Sequence, residues 1–184
     1  MPINFDLSEY AKTYNIFIET GTHKGDGVKK AMKAGFHEIY SIELDTERFT
    51  NCKKMFENDH HVTIIHGDSG TELPKLMNNI DEPCVLWLDA HYCADGAEIS
   101  DKWTPIKEEL DTLQNHSVNT HMILIDDYRC MDNTHIDEKT QKEVGFPGKQ
   151  RLLERLKEIN PDYMLEFMKG HVENDVVKAW VQHR

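Results

Sequence analysis

Five short apolar runs, separated by stretches of helical spacing, constrain the fold of this chain more than any other feature. The runs are Ile16-Phe17-Ile18, Ile39-Tyr40-Ser41-Ile42, Val62-Thr63-Ile64-Ile65, Cys84-Val85-Leu86-Trp87-Leu88 and Met122-Ile123-Leu124-Ile125. Each has the length of a buried strand and is too short for a core helix. Between them apolar residues recur every three or four positions: Phe49, Cys52 and Phe56, then Leu73, Leu76, Met77 and Ile80, then Ile106, Leu110 and Leu113. Leu152, Leu156 and Ile159 follow the fifth run. Strand and helix in alternation predict a parallel sheet covered on both faces. Thr104-Pro105 reads as an N-cap with proline at the first helical position. Ser69 and Glu72 read as a capping box, with Pro74 inside the first turn.

The pattern changes at the C-terminal end. The stretches 163–168 and 175–181 read as two strands with no room for a helix between them, so this pair is expected to be antiparallel. Residues 1–184 contain no internal repeat and no linker, which predicts a single α/β domain, a Rossmann-like three-layer sandwich. The 21 Lys and Arg stand against 33 Asp and Glu, a net charge of −12. That balance disfavours a nucleic-acid partner, which needs clustered basic residues to displace counterions. No apolar run approaches the roughly 18–20 residues that cross a bilayer, and the first residues lack a signal-peptide pattern. Cys52, Cys84, Cys93 and Cys130 form neither a disulfide framework nor a Cys-x-x-Cys motif. Cys52 and Cys84 fall on apolar faces as buried thiols. A cytoplasmic setting is expected, with no membrane partner.

In open α/β sheets ligands bind at the carboxyl ends of the strands, and the residues there are polar. The first strand runs into Glu19-Thr20-Gly21-Thr22-His23-Lys24-Gly25-Asp26-Gly27. Glycines permit a tight turn, and the following helix N-terminus favours a carboxylate or phosphate. The spacing Gly-x-x-x-Gly-x-Gly differs from the Gly-x-Gly-x-x-Gly of dinucleotide binders, which makes a nicotinamide oxidoreductase a poor fit. The second strand ends in Glu43, placed either to accept both hydroxyls of a ribose or to stand as a solvated acid beside Asp45. The third ends in His66-Gly67-Asp68-Ser69, which puts Asp68 where an adenine amino group could be read.

Glu19-x-Gly21-x-x-x-Gly25, Glu43 and Gly67-Asp68-Ser69, together with the terminal hairpin, resemble a class I S-adenosylmethionine (SAM)-dependent methyltransferase over about residues 14–182. The resemblance implies a seven-stranded, mostly parallel sheet with the last strand inserted antiparallel. It also implies that Glu19, Gly21 and Gly25 flank the methionine moiety of SAM, with Thr22 and Asp89 in the same cofactor-contacting set. Glu43 then holds the ribose, and Asp68 and Ser69 face the adenine.

Two further strand ends carry acids: Leu88-Asp89-Ala90-His91-Tyr92 and Ile125-Asp126-Asp127-Tyr128. Neighbouring parallel strands lie about 5 Å apart, so Asp89, Asp126 and Asp127 are expected to converge. Two carboxylates at that distance repel by about 3 kcal/mol at an effective dielectric near 20. A positive partner is needed, and an oxygen-rich site suits Mg²⁺ or Mn²⁺. The trio resembles metal-dependent O-methyltransferases of the catechol and macrolide-sugar types, Asp127 being nearer the sugar type. That resemblance offers His91 as general base beside the metal acid Asp89.

Other readings stay open. Lys102, Arg129 or Lys149 could neutralise the acids, His91 could be structural, and His91, Cys93, Asp126 and Cys130 match no known zinc spacing. Trp87 and Trp180 read as core, Trp103 as a stacking candidate, and His60-His61 as an exposed turn. Two irregular stretches, 92–103 and 128–148, are expected to roof the site, and their polar character favours a sugar or glycan acceptor over a flat hydrophobic one. About 15 residues precede the first strand, where family members often carry a lid, so a neighbouring subunit of a homo-oligomer could supply that cover. The expected function is divalent-metal-assisted O-methylation of a small hydroxylated acceptor. The alternatives are a metal-independent methyltransferase for a nitrogen acceptor and a non-catalytic cofactor- or nucleotide-binding module.

Overall fold

The computed structural model describes residues 3–90, 104–136 and 143–182. Helix α1 (Ser8–Ala11) leads into β1 (Ile16–Thr20), α2 (Asp26–Ala34), β2 (Glu38–Glu43), α3 (Thr46–Met55) and β3 (Val62–His66). Then come α4 (Ser69–Met77), β4 (Val85–Leu88), α5 (Ile106–Asn115) and β5 (Met122–Ile125). A 3-10 turn (Tyr128–Cys130), β6 (Thr134–Ile136), β7 (Glu143–Gly145), α6 (Lys149–Ile159), β8 (Met164–Met168) and β9 (Val176–Trp180) complete the chain.

Seven strands form one sheet in the order β3-β2-β1-β4-β5-β9-β8. The first five are mutually parallel; β9 lies antiparallel between β5 and β8. The expected architecture is therefore present, terminal hairpin included. Strand order reverses between β1 and β4, which opens a crevice at their carboxyl ends.

Period-two alternation builds the layers. Ile16, Ile18, Leu86, Leu88, Ile123 and Ile125 face one way and pack with Leu73, Leu110, Leu113, Leu152 and Leu156 of α4, α5 and α6. Phe17, Val85, Trp87 and Leu124 face the other way, against Val28 and Ala31 of α2, Cys52 of α3, Phe56 at its C-terminal end and the N-terminal Ile3, Leu7 and Tyr14. Cys52, Cys84 and Trp87 are buried, Trp180 packs against the second cluster, and His60-His61 form an exposed turn. No helix among the described residues is long and apolar enough to cross a membrane.

Three local expectations are corrected. Ser69 does not cap α4: Asp68 holds the N-cap position without a side-chain bond, and the Ser69 hydroxyl donates to Glu109 of α5 at 2.6 Å. Because α4 begins at Ser69, Pro74 falls beyond the first turn, where its missing N–H removes one helix bond. Pro105 occupies the N-cap position of α5, and Thr104 Oγ1 accepts from the Ile106 N–H at 3.3 Å. The stretch after β5 also contains regular structure, since β6 and β7 form a separate antiparallel pair. Gly145 ends β7 at φ 147, where a Cβ would fall 2.5 Å from the Asn133 carbonyl oxygen.

Candidate active site

The pleat sends Glu19 and Thr20 to opposite faces at the end of β1. Glu19 lies buried on the α2 side, so close to Gly27 that a Cβ there would fall 1.8 Å from Glu19 Oε1. Ser41 Oγ of β2 donates to Glu19 Oε2 at 2.8 Å, and Thr22 Oγ1 lies 2.6 Å from Ser41 Oγ, so Thr22 donates to Ser41. Burial pushes the Glu19 carboxyl up to about 8; Ser41 opposes this, and the charges of Asp89 and Glu43 add to it.

The turn after β1 is tied to β2 by the Gly21 N–H, which donates to the Ile42 carbonyl at 2.9 Å. Gly21 has φ +87, and a Cβ on it would meet the Asp89 carbonyl oxygen at 2.9 Å. Gly25, at φ +75, caps α2 against the Phe56 ring. Gly21→Ala is therefore expected to lower stability by roughly 2 kcal/mol or more. A thermal melt followed by circular dichroism should show a drop in Tm of about 5 °C or more; an unchanged melt would refute the strained contact.

Glu43 is buried at the end of β2, where its two oxygens accept from the His23 N–H at 2.7 Å and the Asp45 N–H at 2.9 Å. It thus holds the first turn against the start of α3, where Asp45 caps the helix through the Arg48 N–H. Each Glu43 oxygen keeps a lone pair for a further donor. Asp68 is half-buried at the head of α4, and Ser69 is turned inward.

Ladder bonds continue past the strand ends. The Asp89 N–H donates to the Thr20 carbonyl at 3.2 Å and the Asp126 N–H to the Leu88 carbonyl at 3.1 Å, which places the two acids side by side. Asp89, Asp126 and Asp127 each offer a carboxylate oxygen within 4.8 Å of the others. The predicted convergence is thus observed. Burial and the neighbouring Asp89 charge push the Asp126 carboxyl upward. His91, Tyr92, Cys93, Lys102 and Trp103 lie outside the described residues.

Beside the triad a small cleft is lined by Asp89, Asp126 and Glu109, with Leu88, Ile106, Ile125, Met131 and Phe146 among its apolar walls. The sequence reading missed Glu109. Its position, three after Ile106 and four before Leu113, puts an acid on the buried stripe of α5 and could have marked it. It also missed Asp175, fully buried ahead of β9. Asp175 Oδ1 accepts from the Arg129 N–H at 3.2 Å, Oδ2 accepts from the His171 N–H at 3.0 Å, and the carboxylate pairs with the Arg129 guanidinium. Arg129 Nη1 also lies 2.5 Å from Asp127 Oδ1, so this arginine answers one acid of the triad. Lys149 pairs with Asp132.

No protein-family model and no curated protein matches the chain. Solved structures do match in shape. The O-methyltransferase from Bacillus cereus in complex with SAH is 17% identical with a TM-score of 0.63, covering 96% of this chain and 77% of that one. TomG of Streptomyces achromogenes, an O-methyltransferase involved in tomaymycin synthesis and solved with SAM, is 16% identical with a TM-score of 0.64, covering 96% and 78%. The SAH-bound methyltransferase PaMTH1 of Podospora anserina is 14% identical with a TM-score of 0.56, covering 96% and 75%. With this strand order, its antiparallel insertion and these likenesses, the chain has the Rossmann-like fold seen in SAM-dependent methyltransferases.

Proposed function

We propose that this chain transfers a methyl group from SAM to a hydroxyl of a small acceptor, a sugar or glycan, with a divalent cation held by Asp89, Asp126 and Asp127. The carrying observation is the convergence of three carboxylates at the strand ends, next to the glycine turn after β1, with Asp89 and Asp126 lining a cleft. Their all-oxygen donor set fits a hard cation such as Mg²⁺ or Mn²⁺. Arg129 neutralises Asp127 but shares its charge with Asp175. Burial first, and then the Asp89 charge, still push the Asp126 carboxyl up, so the cluster has use for further positive charge.

When bound, a divalent ion would lower the pKa of the acceptor hydroxyl. The chain's own groups do the rest. The turn at Gly21 and Gly25, over the N-terminus of α2, receives the carboxylate end of the cofactor, with Glu19 and Thr22 beneath it. Glu43 takes the ribose hydroxyls through its remaining lone pairs. Asp68 faces the adenine amino group; Ser69, turned toward Glu109, contributes through its place at the head of α4. Asp89 borders both the cofactor turn and the cleft, which favours alignment of acceptor oxygen, methyl carbon and sulfur. His91, two residues beyond, is the candidate base for the acceptor proton. The apolar walls help exclude water. Of the polar segments that favour a hydroxylated acceptor, 93–98 lies outside the described residues, while 131–135 is described, with Met131 buried and Asp132, Asn133 and Thr134 exposed.

Labelled SAM incubated with a panel of sugars and catechols tests the reading. Transfer to oxygen is expected with Mg²⁺ or Mn²⁺ and is expected to fall at least about a hundredfold in EDTA. Transfer to a nitrogen acceptor that persists in EDTA would favour the metal-independent alternative. Failure to bind SAM at all would sink both.

A further inference from the structure

Glu109 belongs to neither the glycine turn nor the acidic triad, yet it is 0% exposed and lines the cleft. Its Oε1 accepts from Ser69 Oγ at 2.6 Å, and its Oε2 has no hydrogen-bond partner among the described residues. The Thr20 hydroxyl is near enough to favour the ionised form without making a well-formed bond to it. An acid in such a place either holds a proton or, once ionised, draws a positive neighbour, and no Lys, Arg or His lines this cleft among the described residues.

The position of Glu109 narrows what that neighbour is. Ser69 opens α4 directly after Asp68, and Thr20 ends β1 directly before Gly21. Glu109 therefore stands between the turn assigned to adenine and the turn assigned to methionine, on the cofactor side of the cleft. SAM and its demethylated product SAH differ there by one charge, a sulfonium against a neutral thioether.

We infer that Glu109 is a specificity-determining residue that makes this site prefer a cationic cofactor centre, SAM over SAH, an inference that rests on the methyltransferase reading above. In the transfer, the bond from sulfur to the methyl carbon breaks as the bond from acceptor oxygen to that carbon forms. The electron pair stays on sulfur, and the acceptor proton leaves to the base. The sulfur ends neutral, so the step that forms the product also removes the charge that Glu109 attracts. Product is thereby released more easily than substrate.

Calorimetry at pH 8.5 tests this with three probes: SAM, SAH, and sinefungin, which carries a cationic amine in place of the sulfonium. The wild-type protein should bind SAM and sinefungin at least about fivefold more tightly than SAH. Glu109→Gln keeps the shape and the acceptor for Ser69 while removing the charge. It should weaken SAM and sinefungin by roughly tenfold and leave SAH within about twofold. Glu109→Asp, which keeps the charge, should retain the preference. An equal loss for all three probes in Glu109→Gln would make the carboxylate merely structural and overturn the inference. If that variant does not fold, the wild-type ratio decides, and SAH binding as tightly as SAM overturns it. Absence of binding by all three probes to folded wild-type protein is a different outcome, since it rejects the methyltransferase reading itself.

Discussion

Asp126→Asn is expected to reduce methyl transfer by about a thousandfold or more while leaving SAM affinity within a few fold. Asp126 is only 4% exposed, follows β5 directly, and is held beside Asp89 by its own N–H bond to the Leu88 carbonyl. Asn keeps the volume and one acceptor oxygen but removes the charge that a hard cation requires. The same substitution relieves repulsion among three acids, so the thermal midpoint should hold or rise. This opposition between activity and stability separates a ligand from a scaffold residue. Manganese binding followed by electron paramagnetic resonance should weaken in parallel with turnover. A fall in Tm together with lost cofactor binding would mean that Asp126 is structural, acting through its packing beside Gly170, where a Cβ would sit 3.2 Å from Asp126 Oδ1.

That the triad could be found without coordinates follows from where its members sit. A strand buried on both faces must be short and apolar, so the first charged residue after it marks the sheet's carboxyl edge. Asp89 and Asp126 are such residues, and parallel pairing of β4 with β5 then brings them together. Glu19, Glu43 and Asp68 are legible for the same reason. Groups that depend on distant partners are not. Ser69 obeys no local capping rule because Glu109, 40 positions on, takes its hydroxyl. The pairing of Arg129 with Asp175 spans 46 positions and depends on β9 inserting beside β5. Local spacing reports which face a residue occupies; it carries no information about which buried polar groups will meet across two helices or a hairpin.

Glu19→Gln is expected to stabilise the protein at pH 8 by up to about 4 kcal/mol, read as a rise in Tm of roughly 10 °C. Glu19 is buried, and its carboxyl is pushed up to about 8 in the folded chain by burial first and by Asp89 and Glu43 next. In the unfolded chain it titrates near its ordinary value of 4.5. Between those two values the folded state binds more protons than the unfolded state, so stability is full at low pH and is lost as pH rises through the window. A neutral glutamine removes that dependence. The two proteins should therefore differ least below about pH 4.5 and most at pH 8 and above. Part of the slope should survive in the variant, because Glu109, pushed up to about 7 by burial, has the same sign. Glutamine can still accept from Ser41, but its amide must fit against Gly27, so the gain is an upper limit. Affinity for SAM should fall in the same variant if Glu19 flanks the methionine moiety. A carboxyl that weakens the fold at working pH while serving the ligand is the stability–function opposition expected of a binding group. Melts of both proteins at pH 5 and pH 8 decide the matter. Loss of stability in Glu19→Gln at pH 8 would show instead that Glu19 is ionised there and that its bond from Ser41 helps hold the turn together.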